Sequence, residues 1–164
     1  NVHHKHPRAW TDAEVDIVEA AAERTWEAVE RLRAEQDLRE SERRFRAVQD
    51  TSIDGFMLLD SVRDASGAIT DFRWLYANEA AERIVGRPRD FFIGKLLLEE
   101  MPGNREAGLF DAYVQVVETG APWVSEFKYQ RDGVDAYIRL VAAKAEDGFA
   151  VSFADLTERA RADE

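Results

Sequence analysis

The chain has 164 residues, 45% of them hydrophobic and 34% charged, a composition that suits a folded domain carrying a charged helix and argues against overall disorder. A formal net charge of -11 repels phosphate backbones and anionic lipid, which argues against nucleic acid or a membrane surface as partner. The absence of cysteine rules out disulfides, thiolate metal sites and thiol nucleophiles, and with no long apolar run or signal-peptide pattern the expected location is cytoplasmic, without membrane insertion.

All three histidines, His3, His4 and His6, precede the first predicted element. Their cluster has no acidic or cysteine companion, so no metal site is assigned and residues 1–10 read as a loop remnant. Between Pro7 and Gly55 there is neither glycine nor proline, and Thr11 followed by Glu14 forms a capping box; one helix over 11–50 is predicted. At 1.5 Å per residue it is about 60 Å long, too long to be covered by the small domain behind it. Its apolar positions Val15, Val18, Ala22, Thr25, Val29 and Leu32 alternate three and four apart, the seam of a coiled coil, and a parallel homodimer is the expected partner. Beyond Leu32 the apolar positions move to Leu38, Phe45 and Val48, a slip of two residues that turns the seam by roughly 200°. That second stretch is expected to face the following domain. Glu27 with Arg31, Glu35 with Arg39, Glu40 with Arg44 and Glu42 with Arg46 are i,i+4 pairs in the favourable order.

A compact domain is predicted over 51–157, with the start of an outgoing helix over 158–164. Phe56–Asp60 and Asp71–Ala77 read as strands joined through a turn at Asp64–Gly67. Asn78 can cap a helix over Glu79–Val85, ended by Gly86 and Pro88; a second helical stretch runs over Arg89–Glu100, and after Pro102 and Gly103 a third runs over Arg105–Thr119 with Asn104 as its cap. Trp123–Arg131, Val134–Lys144 and Gly148–Asp155 are strands, with Asp132 and Gly133, then Glu146 to Gly148, at the turns. The fold class is α+β with a five-stranded antiparallel sheet. In the second strand Phe72, Trp74 and Tyr76 are expected on one face, and in the last Phe149, Val151 and Phe153.

In this order the residues resemble a PAS domain over Ser41 to Arg159. Ser41–Arg46 looks like the flanking segment before many bacterial members, Ile53–Phe56 like the start of the first strand, Tyr76–Ala81 like the strand-to-helix junction, and Phe153–Thr157 like the closing Asp-Ile-Thr motif with Leu156 in the middle. His6–Thr11 with the helix through Arg31 resembles the end of a GAF domain. The resemblance implies a sheet with helices on one face enclosing a pocket for a metabolite, haem or flavin, and dimerisation through flanking helices. Trp74, Tyr76, Asn78, Tyr113, Phe127 and Tyr129 are the pocket candidates; the aromatic ones read more readily as core filling. Flavin–thiol photochemistry needs a cysteine and haem usually a core histidine, so both are disfavoured; a non-covalently bound flavin, a small organic ligand or, as first expectation, no ligand remains. Asp155 and Thr157 are the candidates for transmission into the outgoing helix, or for a plain cap.

No catalytic residue is assigned: Glu126, Asp132 and Asp135 face a turn with no metal or base partner, and there is neither a phosphate-cradling glycine loop nor a cyclase motif. The expected function is a sensory or relay module of a multidomain signalling protein, of histidine kinase or cyclic-nucleotide type, between an upstream sensor and a downstream effector of the same parent chain. The alternative is a constitutive dimerisation scaffold without ligand.

Overall fold

A computed structural model describes residues 9–162, so the histidine cluster and the first residues of segment 1–10 lie outside the described part. The chain divides into two compact units that meet between Phe45 and Arg46.

Helix α1 runs Asp12–Asp50 over 39 residues, a length of about 60 Å at 1.5 Å per residue. Its capping box is formed: Thr11 N donates to Glu14 Oε2 at 2.9 Å and Glu14 N donates to Thr11 Oγ1 at 3.3 Å. None of its residues is buried. Of the four expected i,i+4 pairs, Glu40 with Arg44 closes and the others do not among the described residues; Glu30 and Arg33 pair instead at 3.1 Å. These pairs are exposed and worth little individually. The expectation that the domain covers the Leu38 to Val48 stretch fails at Val48, which belongs to the domain's own unit and is 66% exposed.

The second unit is built on five antiparallel strands: β1 (Gly55–Arg63), β2 (Ile69–Ala77), β3 (Trp123–Arg131), β4 (Val134–Ala145) and β5 (Gly148–Asp155), in the order β2-β1-β5-β4-β3. The α+β class and the strand count are those expected from sequence. Between β2 and β3 the chain forms α2 (Glu79–Val85), a single 3-10 turn (Arg89–Phe91), α3 (Leu97–Glu100), α4 (Gly103–Glu106) and α5 (Leu109–Thr119). The expected helices Arg89–Glu100 and Arg105–Thr119 are each interrupted, because Gly94 and Gly108 adopt φ of 80° and 77°, a conformation that ends a helix. Asn104 accordingly sits inside α4 rather than capping a longer helix. A short final helix α6 covers Thr157–Ala162.

One apolar layer holds sheet and helices together. Phe72 lies edge-on to Phe149 at 4.8 Å and to Phe110 at 5.6 Å, and Trp74 meets Phe92 at 5.1 Å. Such edge-to-face pairs add about 0.5–1.5 kcal/mol beyond burial. Along β2 the expected common face of Phe72, Trp74 and Tyr76 is broken. Leu59 pairs with Trp74 but its neighbour Leu58 pairs with Tyr76, so the extra residue Leu75 forms a bulge that turns Tyr76 to the other side.

The middle strand of the sheet is β5, which pairs with β1 on one side and β4 on the other. A Cβ at Gly148 would lie 2.0 Å from the Leu59 carbonyl oxygen, so the strands approach there as only glycine allows.

Candidate functional site: a core chamber and two helix junctions

Strand alternation sends Met57 and Leu59 of β1, Trp74 of β2 and Phe149, Val151 and Phe153 of β5 toward the helical layer, where they wall a chamber of about 80 Å³ together with Tyr113 of α5. No aspartate, glutamate, lysine, arginine or histidine lines it. Among its lining side chains Trp74, Tyr113, Asn104 and Tyr129 carry polar groups. The Tyr129 hydroxyl donates to Asp132 Oδ2 at 2.5 Å and accepts from Asn104 Nδ2 at 3.2 Å. Burial, and then that bond to Asp132, push the Tyr129 phenol pKa well above its ordinary value. Tyr113 stacks on Phe149 at 4.2 Å, and burial raises its phenol likewise. The Trp74 Nε1–H is buried and meets no acceptor.

Of the pocket candidates, Trp74, Tyr113, Phe127 and Tyr129 stand in this wall, and Tyr76 and Asn78 do not. The bulge carries Tyr76 away, toward the Phe56 ring at 6.3 Å. Sequence reading missed Asn104 as a polar wall residue and Asp132 as the anchor of Tyr129. The signal for Asp132 was there only as a turn residue, and the turn's φ of 53° at that position gives no hint of the side chain's bond.

Asn78 is fully buried and does a different job. Its Oδ1 accepts from Ala81 N at 2.9 Å, capping α2, and from Phe56 N at 2.9 Å in β1; its Nδ2 donates to Gln49 O at 3.1 Å and Asp54 O at 3.0 Å. One amide thus ties the last turn of α1 to the start of β1 and of α2, with all its hydrogen-bonding groups used. Arg89 adds a 3.7 Å ion pair to Asp50.

A matching junction closes the other end. Asp155 Oδ1 accepts from Thr157 N at 2.9 Å and from Thr157 Oγ1 at 2.5 Å, while Thr157 Oγ1 accepts from Tyr137 N at 2.9 Å. Leu156 N donates to Tyr137 O at 2.7 Å. The cap of α6 is therefore bonded to β4. The seam candidates lie on α1, with Val15, Val18, Ala22, Thr25 and Leu32 exposed and Val29 half-buried. Among the described residues no three His, Cys, Asp or Glu side chains group as metal ligands, and no helix is long and apolar enough to cross a membrane.

The family described as the PAS fold matches residues 59–161. The chain belongs to that family. Solved structures with the PAS topology bear this out at the level of fold. A domain of the sensory box sensor histidine kinase/response regulator from Geobacter sulfurreducens is 22% identical, with 72% of this chain and 96% of that one covered and a TM-score of 0.53. The PAS domain of Bordetella pertussis BvgS is 19% identical over 77% of this chain and 90% of its own, at 0.51. The E. coli DhaR(N)-DhaL complex is 15% identical over 88% of this chain and 45% of that one, at 0.55. No curated protein matches the chain.

The residues of this PAS core do not fit haem or flavin. Its chamber of about 80 Å³ is well below the roughly 300 Å³ at which sites for molecules of that size begin. The absence of cysteine excludes only a flavin–thiol adduct, and the histidines, which would ligate haem, all lie before residue 7.

Proposed function

We propose that this chain is the sensory or relay PAS module of a multidomain cytoplasmic signalling protein, of histidine kinase or cyclic-nucleotide type. It works as a parallel homodimer through α1, takes its input from an upstream domain or from its own core, and passes a conformational change to a downstream effector. It has no catalytic activity of its own. The observation that carries this reading is the layout of the two junctions. Asn78 bonds the end of α1 to β1, β5 leads into the Asp155–Thr157 cap, and β1 and β5 are neighbours in the sheet that both wall the chamber. A change in the spacing of these two strands reaches both helices within one hydrogen-bond step. The acidic side chains near the β3–β4 turn support the absence of catalysis: Asp132 is held by Tyr129 and Gly103, and Asp135 by Gln130.

The alternative, a constitutive dimerisation scaffold, is favoured by the small volume of the chamber. The two readings share the dimer and differ in ligand response. Replacing Val29 and Leu32 together with glutamate is expected to halve the mass measured by light scattering while leaving the domain's melting midpoint unchanged. An unchanged mass removes α1 as the interface.

A further inference from the structure

The two edges of the sheet are finished differently. At the β2 edge the chain after α2 folds back onto the strand: Trp74 N donates to Lys95 O at 3.1 Å, Gly94 N donates to Trp74 O at 2.8 Å, and Leu96 bridges to Arg73. At the other edge β3 pairs with β4 alone among the described residues. Tyr137 of β4 gives its N–H to Thr157 Oγ1 and accepts from Leu156 N, both on the β5 side. The even-numbered residues of β4 therefore bond β3, where the register sets odd-numbered residues opposite them. Val124, Glu126, Lys128 and Gln130 are left with their N–H and C=O groups turned to the open side. Such a row is a template for a further strand.

The strand that fits this edge is its own copy. Antiparallel pairing of β3 with β3 of a second chain, centred on Phe127, overlaps all of Trp123–Arg131. It sets Glu126 of each copy opposite Lys128 of the other and Val124 opposite Gln130, so that every outward N–H and C=O meets a partner. Opposite charges facing each other across such a pair are favourable and like charges are not. Moving the centre to Glu126 or to Lys128 puts two like charges face to face, and moving it further shortens the overlap and separates both ion pairs. A centre between two residues sets even-numbered residues against odd-numbered ones, whose backbone groups are already bonded to β4. Both charges are free to change partner: Lys128 reaches Asp135 only at 4.0 Å, and Glu126 has no ion pair among the described residues. Phe127, half-buried, meets its own copy at the centre.

We propose that the open edge of β3 recognises a second copy of this chain, pairing antiparallel with the same strand about a two-fold axis at Phe127 and running one sheet through both domains. This contact is separate from the α1 seam and goes beyond the relay reading. A single pair of strand edges is a small interface, so it is populated near millimolar concentration and leaves the mass read at micromolar concentration to α1.

Because the chain has no cysteine, single cysteines report this contact without background. Full chains carrying Glu126→Cys, Lys128→Cys or Val124→Cys, all at exposed positions, are oxidised near millimolar concentration, alone and mixed. In the proposed register positions 126 and 128 of the two copies have Cα atoms about 5.5 Å apart, within reach of a disulfide. The two copies of position 124 stand about 20 Å apart. The mixture of Glu126→Cys with Lys128→Cys is expected to give crosslinked dimer several-fold faster than either variant alone. Val124→Cys alone should be slow, although that residue is 62% exposed. Phe127→Cys, on the axis, should crosslink with itself. Adding Lys128→Glu to it should slow the reaction several-fold, and adding Glu126→Lys as well should restore it. Lys144→Glu, the same charge change away from the edge, should leave the rate alone. If Phe127→Cys does not fold, the mixed pair decides. Equal rates for all variants, fastest crosslinking of Glu126→Cys or Lys128→Cys with itself, or equal slowing by Lys144→Glu and Lys128→Glu overturns the assignment. The order of rates is read again in chains that also carry Val29→Glu and Leu32→Glu. The same order there supports the strand contact whatever α1 does; an order lost there overturns it as a contact of its own and leaves the α1 seam standing.

Discussion

The two units of this chain spend apolar residues in opposite ways. Along α1, Val18, Trp26, Leu32 and Leu38 are each more than half exposed, and no residue of the helix is buried. In the domain, Phe72, Trp74, Phe92 and Phe149 are at most 1% exposed. The domain's stability is therefore internal, whereas the helix holds unspent apolar surface whose worth depends on what it meets. An isolated helix with exposed apolar positions gains from association, and a packed core gains only from keeping its shape.

That contrast can be broken at graded cost. Phe149→Ala removes a ring that contacts both Phe72 and Tyr113, and should cost the domain about 3–5 kcal/mol in urea unfolding. A loss under 1 kcal/mol would mean the core is looser than its burial says. Asn78→Ala strikes the place where α1 ends and the domain begins. With the partners on Phe56, Ala81, Gln49 and Asp54 all lost, about 2–3 kcal/mol is expected. Hydrogen exchange should then quicken in the last turn of α1 as well as at α2, and exchange confined to α2 would reduce Asn78 to a plain cap. Asp155→Ala removes the cap of α6 for about 1 kcal/mol, read as a small fall in melting midpoint.

The smallest effect is electrostatic. The Arg63 hydrogen bond holds the Asp147 carboxyl below its ordinary 3.8. A lowered folded pKa contributes stability that is present above 3.8 and lost as pH falls through the lower folded value. Arg63→Met should therefore lower stability slightly at neutral pH, leave it unchanged below the lowered folded value, and so flatten the acid limb between that value and 3.8. An equal loss at strongly acidic pH, where Asp147 is protonated folded and unfolded, would assign Arg63 a packing role instead.

Much of this was legible in the sequence, and the reasons are local. The helix α1 announced itself by its capping box and unbroken run, and α2 by Asn78 before and Gly86 after it. The strands β3 to β5 were bounded by turn residues and came out within a residue of their observed ends. The stretch from Arg89 to Gly108 was not legible, because α3 and α4 are four residues each, too short for any period to show. Leu96 even bridges to Arg73 in the sheet. Tyr76 was misplaced because a bulge reverses the alternation on which faces are read, and nothing in the sequence around Leu75 marks it. Asn78 was recognised as a cap, but its bond to Gln49 joins residues far apart in the chain, beyond any local signal.

The glycine at 148 sets a limit on how this domain can change over generations. With the Leu59 carbonyl 2.0 Å from where a first side-chain carbon would stand, even alanine must force β1 and β5 apart. In a saturation library selected for folding, position 148 should return glycine alone, while Gly67, with open space around its missing side chain, should accept asparagine or aspartate.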